Sequence, residues 1–221
     1  MDGVKFDNDK AAWHLIPSEH LVSMAVAIRP FIETHMLSDK EIHFNRNYIY
    51  SIAKSNIIRW HHKGECSYLG NFHPLTNAMI GICMLAKPRV YTHEEVFSTA
   101  FNQRWDLIDP EWTRNIAQIY QYGAVKYEAD NWKKVEPYRY YSALNRHIDE
   151  YWAGNKYDSE SGFHHLYHAA WNCIALQWFD KNNVSTEIKS TIPPEILKAS
   201  RKLKNITLIS MPKKITKKKD K

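Results

Sequence analysis

The sequence contains little glycine and neither of the glycine-rich loops that most often cradle nucleotides. Only seven of its 221 residues are glycine, which disfavours an all-β architecture. The patterns G-x-x-x-x-G-K-[ST] and G-x-G-x-x-G are both absent. A nucleotide, if one binds here, must therefore be held by another kind of site.

Cysteine and long apolar runs are also scarce. The three cysteines, Cys66, Cys83 and Cys173, form no C-x-x-C pair, which predicts free thiols in a reducing compartment. No apolar run approaches the roughly 18 residues of a membrane span, and residues 1–10 are too polar for a signal peptide. We therefore expect a cytoplasmic protein without membrane contact.

What the sequence does contain is apolar and aromatic bulk, with a basic end. Hydrophobic residues make up 44% and aromatic residues 13% of the chain, enough for a packed core. Part of the net charge of +6 comes from a lysine-rich end. We interpret this tail as a solvated terminus, and the alternative is weak, non-specific contact with nucleic acid. Its lysines are Lys213, Lys214, Lys217, Lys218, Lys219 and Lys221.

Apolar residues recur at helical spacing along most of the chain, so the predicted fold class is all-α, a helical bundle. Ser18 is expected to cap a first helix that continues through Val22 to Ile28. Further helices are predicted over 46–60, 74–85 and 93–101, over two segments that flank a short acidic turn near 158–162, and over 193–203.

An internal duplication is predicted from matches at a nearly constant offset. Trp13 and Trp105 are separated by 92 positions, and Tyr50 and Tyr141 by 91. The alternative is that amphipathic helices share apolar positions by chance. We predict tandem diverged helical repeats over 1–92 and 93–181, packed as an intrachain pseudo-dimer, followed by an extension over 182–221 with the basic tail.

Polar residues able to do chemistry are concentrated between Gly123 and Phe179. His165 and His168 are three residues apart and share a helix face, so both can bind a metal, or one can orient the other. Asp158 can cap the following helix or bind a metal, whereas we favour chemistry for Glu160. The remaining candidates are Lys126, Tyr127, Asn131, Trp132, Arg146, His147 and Asn172.

The first half lacks these groups, since it has Pro74, Asn77 and Gly81 where the second half has His165, His168 and Asn172. It has instead an N-terminal segment with Lys5, Asp7 and Lys10. We therefore expect one composite site, in which this segment reaches over the acidic cluster of the second half.

These residues resemble a known family. The pattern G-x-x-K-Y-x-x-x-N-W, then R-H, then D-x-E-S-G-x-x-H-x-x-H-A-A-x-N is similar to that of the phage dATP/dGTP diphosphohydrolases, within the MazG-like nucleotide pyrophosphatases. The similarity covers roughly the first 28 residues, with their K-x-D-x-x-K and L-I-P segments, and residues 105–181. Three features depart from the family: Glu128 replaces a usual Gly, Asn155 replaces a usual Glu, and a long insertion separates the two matching regions.

The resemblance implies hydrolysis of a purine deoxynucleoside triphosphate to the monophosphate and pyrophosphate, with Mg²⁺ or Mn²⁺ as the cofactor. Asp158 and Glu160 would be metal ligands, one of them also the base, and His147, His165 and His168 would complete or orient the metal site. Lys126, Arg146, Lys5 and Lys10 would hold the triphosphate, and Trp132 and Tyr127 the base. The phage relatives imply host cytoplasm as the location.

Two other functions remain open at this point. The runner-up is a non-catalytic nucleotide- or nucleic-acid-binding protein on the same fold, which the degenerate first half, Asn155 and the basic tail favour. Phosphohydrolase chemistry of the HD type is disfavoured because the chain has no His-Asp dipeptide. A homo-oligomer is compatible with either function.

Overall fold

The computed structural model describes residues 11, 15–36, 42–62, 72–99 and 102–184. These residues form seven α-helices and no β-strand, which confirms the all-α prediction. The helices are α1 (Ser18–His35), α2 (Arg46–His61), α3 (Pro74–Ala86), α4 (His93–Phe97), α5 (Pro110–Tyr127), α6 (Pro137–Trp152) and α7 (His165–Lys181). Short 3₁₀ helices cover Trp105–Leu107 and Asn131–Lys134.

Local signals explain where most of these helices begin. Proline occupies the first position of α3, α5 and α6, where its missing N–H would have no helical partner anyway. Asn45 caps α2 by accepting from the Tyr48 amide at 3.0 Å. Thr92 and Glu95 form a reciprocal capping box at α4.

Two predicted helix boundaries were wrong. Ser18 is the first residue of α1, not its cap, and the helix continues past Pro30 to His35 because Phe31 and Ile32 are buried in the core. Helix α4 ends at Phe97, short of Phe101. The buried Arg104 guanidinium donates hydrogen bonds to the carbonyl oxygens of Glu95 and Val96. These carbonyls therefore accept from a side chain and not from the amides of a further helical turn.

The core is centred on α3 and α7. Every residue from Leu75 to Leu85 is buried in α3, and α7 buries twelve of its 17 residues. Helix α3 packs against α1, α2 and α7, and α7 packs against α3, α5 and α6. The described helices therefore share one hydrophobic core, and none of them combines the length and apolar character that a membrane span needs.

The two halves meet through pairs of residues that the predicted duplication would make equivalent. Tyr50 stacks on Trp152 with ring centroids 3.9 Å apart, and Tyr141 stacks on His61 at 4.3 Å. Tyr50 corresponds to Tyr141 and His61 to Trp152 at the predicted offset of 91. The two contacts are thus related to each other by exchange of the halves.

One further contact joins residues that are equivalent at the predicted offset. Lys54 donates to Asn145, its own equivalent at the offset of 91, at 3.2 Å. Lys87 pairs with Glu111 at 2.5 Å and Lys181 with Glu19 at 3.2 Å. The two glutamates are 92 positions apart, but the two lysines are 94 apart and are not equivalent at the predicted offset. The contacts between equivalent residues are what a pseudo-twofold axis between duplicated halves would produce, and the duplication stays a prediction.

Several sequence predictions fall outside the described residues. These are the N-terminal segment with Lys5, Asp7 and Lys10, the thiol of Cys66, the helix over 193–203 and the basic tail. Cys83 and Cys173 are buried, free thiols, as predicted. Burial raises the pKa of both, so neither behaves as a reactive thiolate.

Candidate functional site

Asp158 organises the loop between α6 and α7. Its Oδ1 accepts from the backbone amides of Glu160 at 3.2 Å and Ser161 at 2.9 Å, and from the Ser161 hydroxyl at 2.9 Å. Gly162 completes the turn with a φ of 72°, a conformation that suits glycine. Burial raises the pKa of Asp158, but the hydrogen bonds from Ser161 lower it by a larger amount. The pKa therefore lies below its ordinary value. The carboxylate is therefore ionised at neutral pH.

Three histidines gather beside this loop. His147 and His165 are 6% and 5% exposed, and their Nδ1 atoms lie 2.8 Å apart. His168 stacks on His147 with ring centroids 4.7 Å apart and bonds the Ser161 hydroxyl through Nε2 at 2.7 Å. Burial lowers the pKa of His147 to about 3 and that of His168 to about 4. Both rings are thus neutral and have a lone pair to share.

Three of these side chains converge in a way that fits a metal ion. One ligand atom each from His147, Asp158 and His165 lies within 4.8 Å of the others. His147 as a neutral imidazole and Asp158 as an ionised carboxylate are in the protonation states that metal binding requires. Two nitrogen donors and one oxygen donor suit a transition metal better than Mg²⁺, which prefers oxygen ligands.

Glu160 does not join this group, because its carboxylate is ion-paired with Lys126 at the end of α5. The Glu160 side chain is 68% exposed. The hydrogen bond that Lys126 donates to Glu160 raises the pKa of Lys126 above the ordinary value, and the ammonium also lies 4.9 Å from the centroid of the Tyr127 ring. This ion pair is accessible to a ligand that approaches from solvent.

A cavity of about 560 Å³ opens beside the histidines. His147, His168 and Asn172 form part of its wall. Four aromatic side chains form another part and meet edge to face, with the centroids of Tyr120 and Trp171, for example, 5.4 Å apart. The four are Tyr120, Trp132, Tyr140 and Trp171. The size suits a small organic ligand, and the combination of flat apolar walls and imidazoles suits an aromatic ring attached to a polar group.

The structure brings most of the predicted site residues to this region. Tyr127, Asn131, Trp132, His147, His168 and Asn172 line the cavity, while Asp158 and His165 belong to the metal-compatible group. Arg146 is exposed on α6, and its charge contributes to the lowered pKa of His147 and His168. The composite site proposed with the N-terminal segment lies outside the described residues.

The cavity residues that the sequence analysis missed include Tyr120, Arg139, Tyr140 and Trp171. Aromatic residues on helices pack in a core more often than they contact ligands, so the sequence alone favoured the core. A signal was available nonetheless. Trp171 follows His168 by three positions and Tyr140 precedes His147 by seven, and both spacings place the residues on the same helix face.

One family model matches the part of the chain that contains the candidate site. Residues 98–189 match the family model described as dATP/dGTP diphosphohydrolase, N-terminal. This region contains α5, α6 and α7. The similarity to this family thus covers less than half of the chain.

A curated relative of the family region is a dATP/dGTP diphosphohydrolase of Salmonella phage PMBT28. The two are 33% identical over 81 residues, which are 37% of this chain and 28% of the relative. The match thus spans less than a third of the relative's length. No solved structure matches the chain.

Proposed function

We propose that this protein hydrolyses a purine deoxynucleoside triphosphate to the monophosphate and pyrophosphate. The observation that carries the proposal is the shared wall of the aromatic cavity and the histidine cluster. His147 belongs both to the cavity lining and to the metal-compatible group. A base held in the cavity would therefore place its phosphates near the groups that can activate water.

The reaction we assign is attack of water on the α-phosphorus. The new bond joins the water oxygen to that phosphorus, the bond to the bridging oxygen of the β-phosphate breaks, and pyrophosphate leaves. A divalent ion bound by His147, Asp158 and His165 would supply charge neutralisation and a more acidic water. Of the two ions predicted, Mn²⁺ fits these nitrogen donors better than Mg²⁺.

The other charged groups have roles that follow from their positions. Lys126 and Arg146 are exposed cations, and we assign them to the triphosphate. A triphosphate would compete with Glu160 for Lys126 and free the Glu160 carboxylate. Glu160 then becomes the general base that takes a proton from the attacking water.

His168 acts as a positioning residue. It stacks on His147, and its Nε2 bonds the hydroxyl of Ser161, which in turn donates to Asp158. These contacts hold two of the three proposed ligands in place, as outer contacts of metal sites do.

The test is product analysis. Purified protein is incubated with each deoxynucleoside triphosphate and either Mn²⁺ or Mg²⁺, and the products are separated by ion-exchange chromatography. We expect monophosphate and pyrophosphate from dGTP or dATP, lost in His165→Ala and Glu160→Gln but kept in His93→Ala, which changes an exposed histidine of α4.

Other products would contradict the proposal. Inorganic triphosphate with a nucleoside would indicate cleavage on the other side of the α-phosphate. Binding without turnover under every condition would support the non-catalytic nucleotide-binding protein.

A further inference from the structure

Glu128 has a backbone conformation that a residue with a side chain rarely adopts. It follows the last residue of α5 with φ 92° and ψ 145°, a combination that is nearly exclusive to glycine. Glycine would relieve the strain, so stability does not account for a glutamate here. Such strained residues are concentrated at binding and active sites.

The position of Glu128 suggests a use for its side chain. Glu128 lines the aromatic cavity, as does Asp130. Asp130 is ion-paired with Lys133 at 2.9 Å. The carboxylate of Glu128, by contrast, makes no hydrogen bond or ion pair within the part of the chain that the structure describes, and it is free to bind a ligand.

A matching cation lines the same cavity. Arg139 lies on the first turn of α6. Burial raises the pKa of Tyr140 in the aromatic wall, and the charge of Arg139 offsets part of that rise. Across the described ranges, its guanidinium has no hydrogen-bond or ion-pair partner either. Glu128 and Arg139 thus line one cavity with opposite charges that do not pair with each other, and a ligand can satisfy both.

Guanine has the groups that these two side chains require. Its N1–H and N2–H₂ are adjacent donors, which a carboxylate accepts together, and its O6 and N7 are adjacent acceptors, which an arginine bonds in a fork. Adenine has a lone pair at N1 and a donor at N6, so it opposes both pairings. The aromatic walls supply stacking for either purine.

We propose that this cavity selects guanine over adenine, with Glu128 accepting from N1–H and N2–H₂ and Arg139 donating to O6 and N7. The proposal rests on the proposed function for its substrate class. A bidentate contact discriminates between bases by about 5- to 150-fold, so we expect about 10- to 100-fold tighter binding of the guanine nucleotide.

The test measures binding without turnover. Isothermal titration calorimetry is used to compare dGMP, dAMP and dIMP, since the hypoxanthine base of dIMP keeps N1–H and O6 but lacks the N2 amino group. The wild-type protein should bind dGMP most tightly, dIMP less tightly and dAMP most weakly. Because monophosphates are not hydrolysed to pyrophosphate, this result is independent of the proposed reaction.

Two variants and a matched control assign the preference to the two side chains. Glu128→Gln keeps the shape of the side chain but adds an N–H donor, so it should weaken the binding of dGMP and strengthen the binding of dAMP. Arg139→Gln should weaken the binding of dGMP more than that of dAMP. Glu136→Gln changes a neighbouring exposed carboxylate that does not line the cavity and should leave all three affinities unchanged.

Several outcomes would overturn the proposal. These are equal or tighter binding of dAMP by the wild-type protein, an undiminished preference in Glu128→Gln, or no binding of any mononucleotide. A wild-type protein that selects dGMP but cleaves no triphosphate would leave the base selectivity intact and refute only the hydrolase.

Discussion

Replacing Glu128 with Gly is expected to make the protein more stable. The residue has φ 92° and ψ 145° at the end of α5, and holding a non-glycine residue there costs about 1–3 kcal/mol. Glycine removes this strain but makes the unfolded chain more flexible, which costs about 0.5–1 kcal/mol. The free energy of unfolding should therefore rise by about 0.5–2 kcal/mol.

The side chain itself contributes little to this balance. Glu128 is exposed, and its carboxylate has no partner among the described residues, so its removal should be nearly neutral. Glu128→Ala provides the matched control because it removes the carboxylate but keeps the Cβ atom and thus the strain.

Urea denaturation followed by far-ultraviolet circular dichroism gives the free energy of unfolding for both variants. We expect the free energy of unfolding of Glu128→Gly to exceed those of the wild type and Glu128→Ala. If the glycine variant is no more stable than the alanine variant, the backbone at this position is not strained and the reasoning fails. The family resemblance, in which glycine usually stands here, agrees with the expected direction.

Three further predictions follow from other parts of the structure. His165→Ala should weaken Mn²⁺ binding at least about tenfold, measured by electron paramagnetic resonance of free Mn²⁺, whereas His93→Ala should not. Arg104→Met should lower the free energy of unfolding by about 1–3 kcal/mol, because the two carbonyls that the 1% exposed Arg104 side chain bonds lose their donor, whereas the 59% exposed Asp106 carboxylate can be hydrated; a loss below about 1 kcal/mol would contradict its structural role. Burial holds the pKa of His20 at about 4, against 6.5 when exposed, so the unfolded state binds more protons between these values and stability falls by up to about 3 kcal/mol as the pH drops through that range. Urea titrations at a series of pH values should show that the free energy of unfolding of His20→Gln lacks this fall. A dependence on pH equal to that of the wild type would contradict the prediction.

The sequence predicted helices best where the signal is local. The starts of α2, α3 and α4 were correct because Asn45, Pro74 and the capping box at Thr92 act within one helical turn. The end of α4 was missed because it depends on Arg104, which lies beyond the helix and takes its last carbonyls.

The candidate site shows the same division. Helical spacing alone brought His165 and His168 onto one face, and the acidic turn and the helix before it supplied Asp158 and His147 as further candidates. Which of them meet was decided by the relative placement of α5, α6 and α7. That placement pairs Glu160 with Lys126 of α5, a helix that is distant along the sequence, and brings His147, Asp158 and His165 together.

The sequence by itself therefore determined the helical class, most helix starts and the segment that contains the candidate site, because each depends on residues within a few turns of one another. Only the tertiary structure decided the ligand group, the aromatic cavity and the unpaired charges of Glu128 and Arg139. These features depend on side chains from different helices, whose separation in space is set by core packing and cannot be read from spacing along the chain.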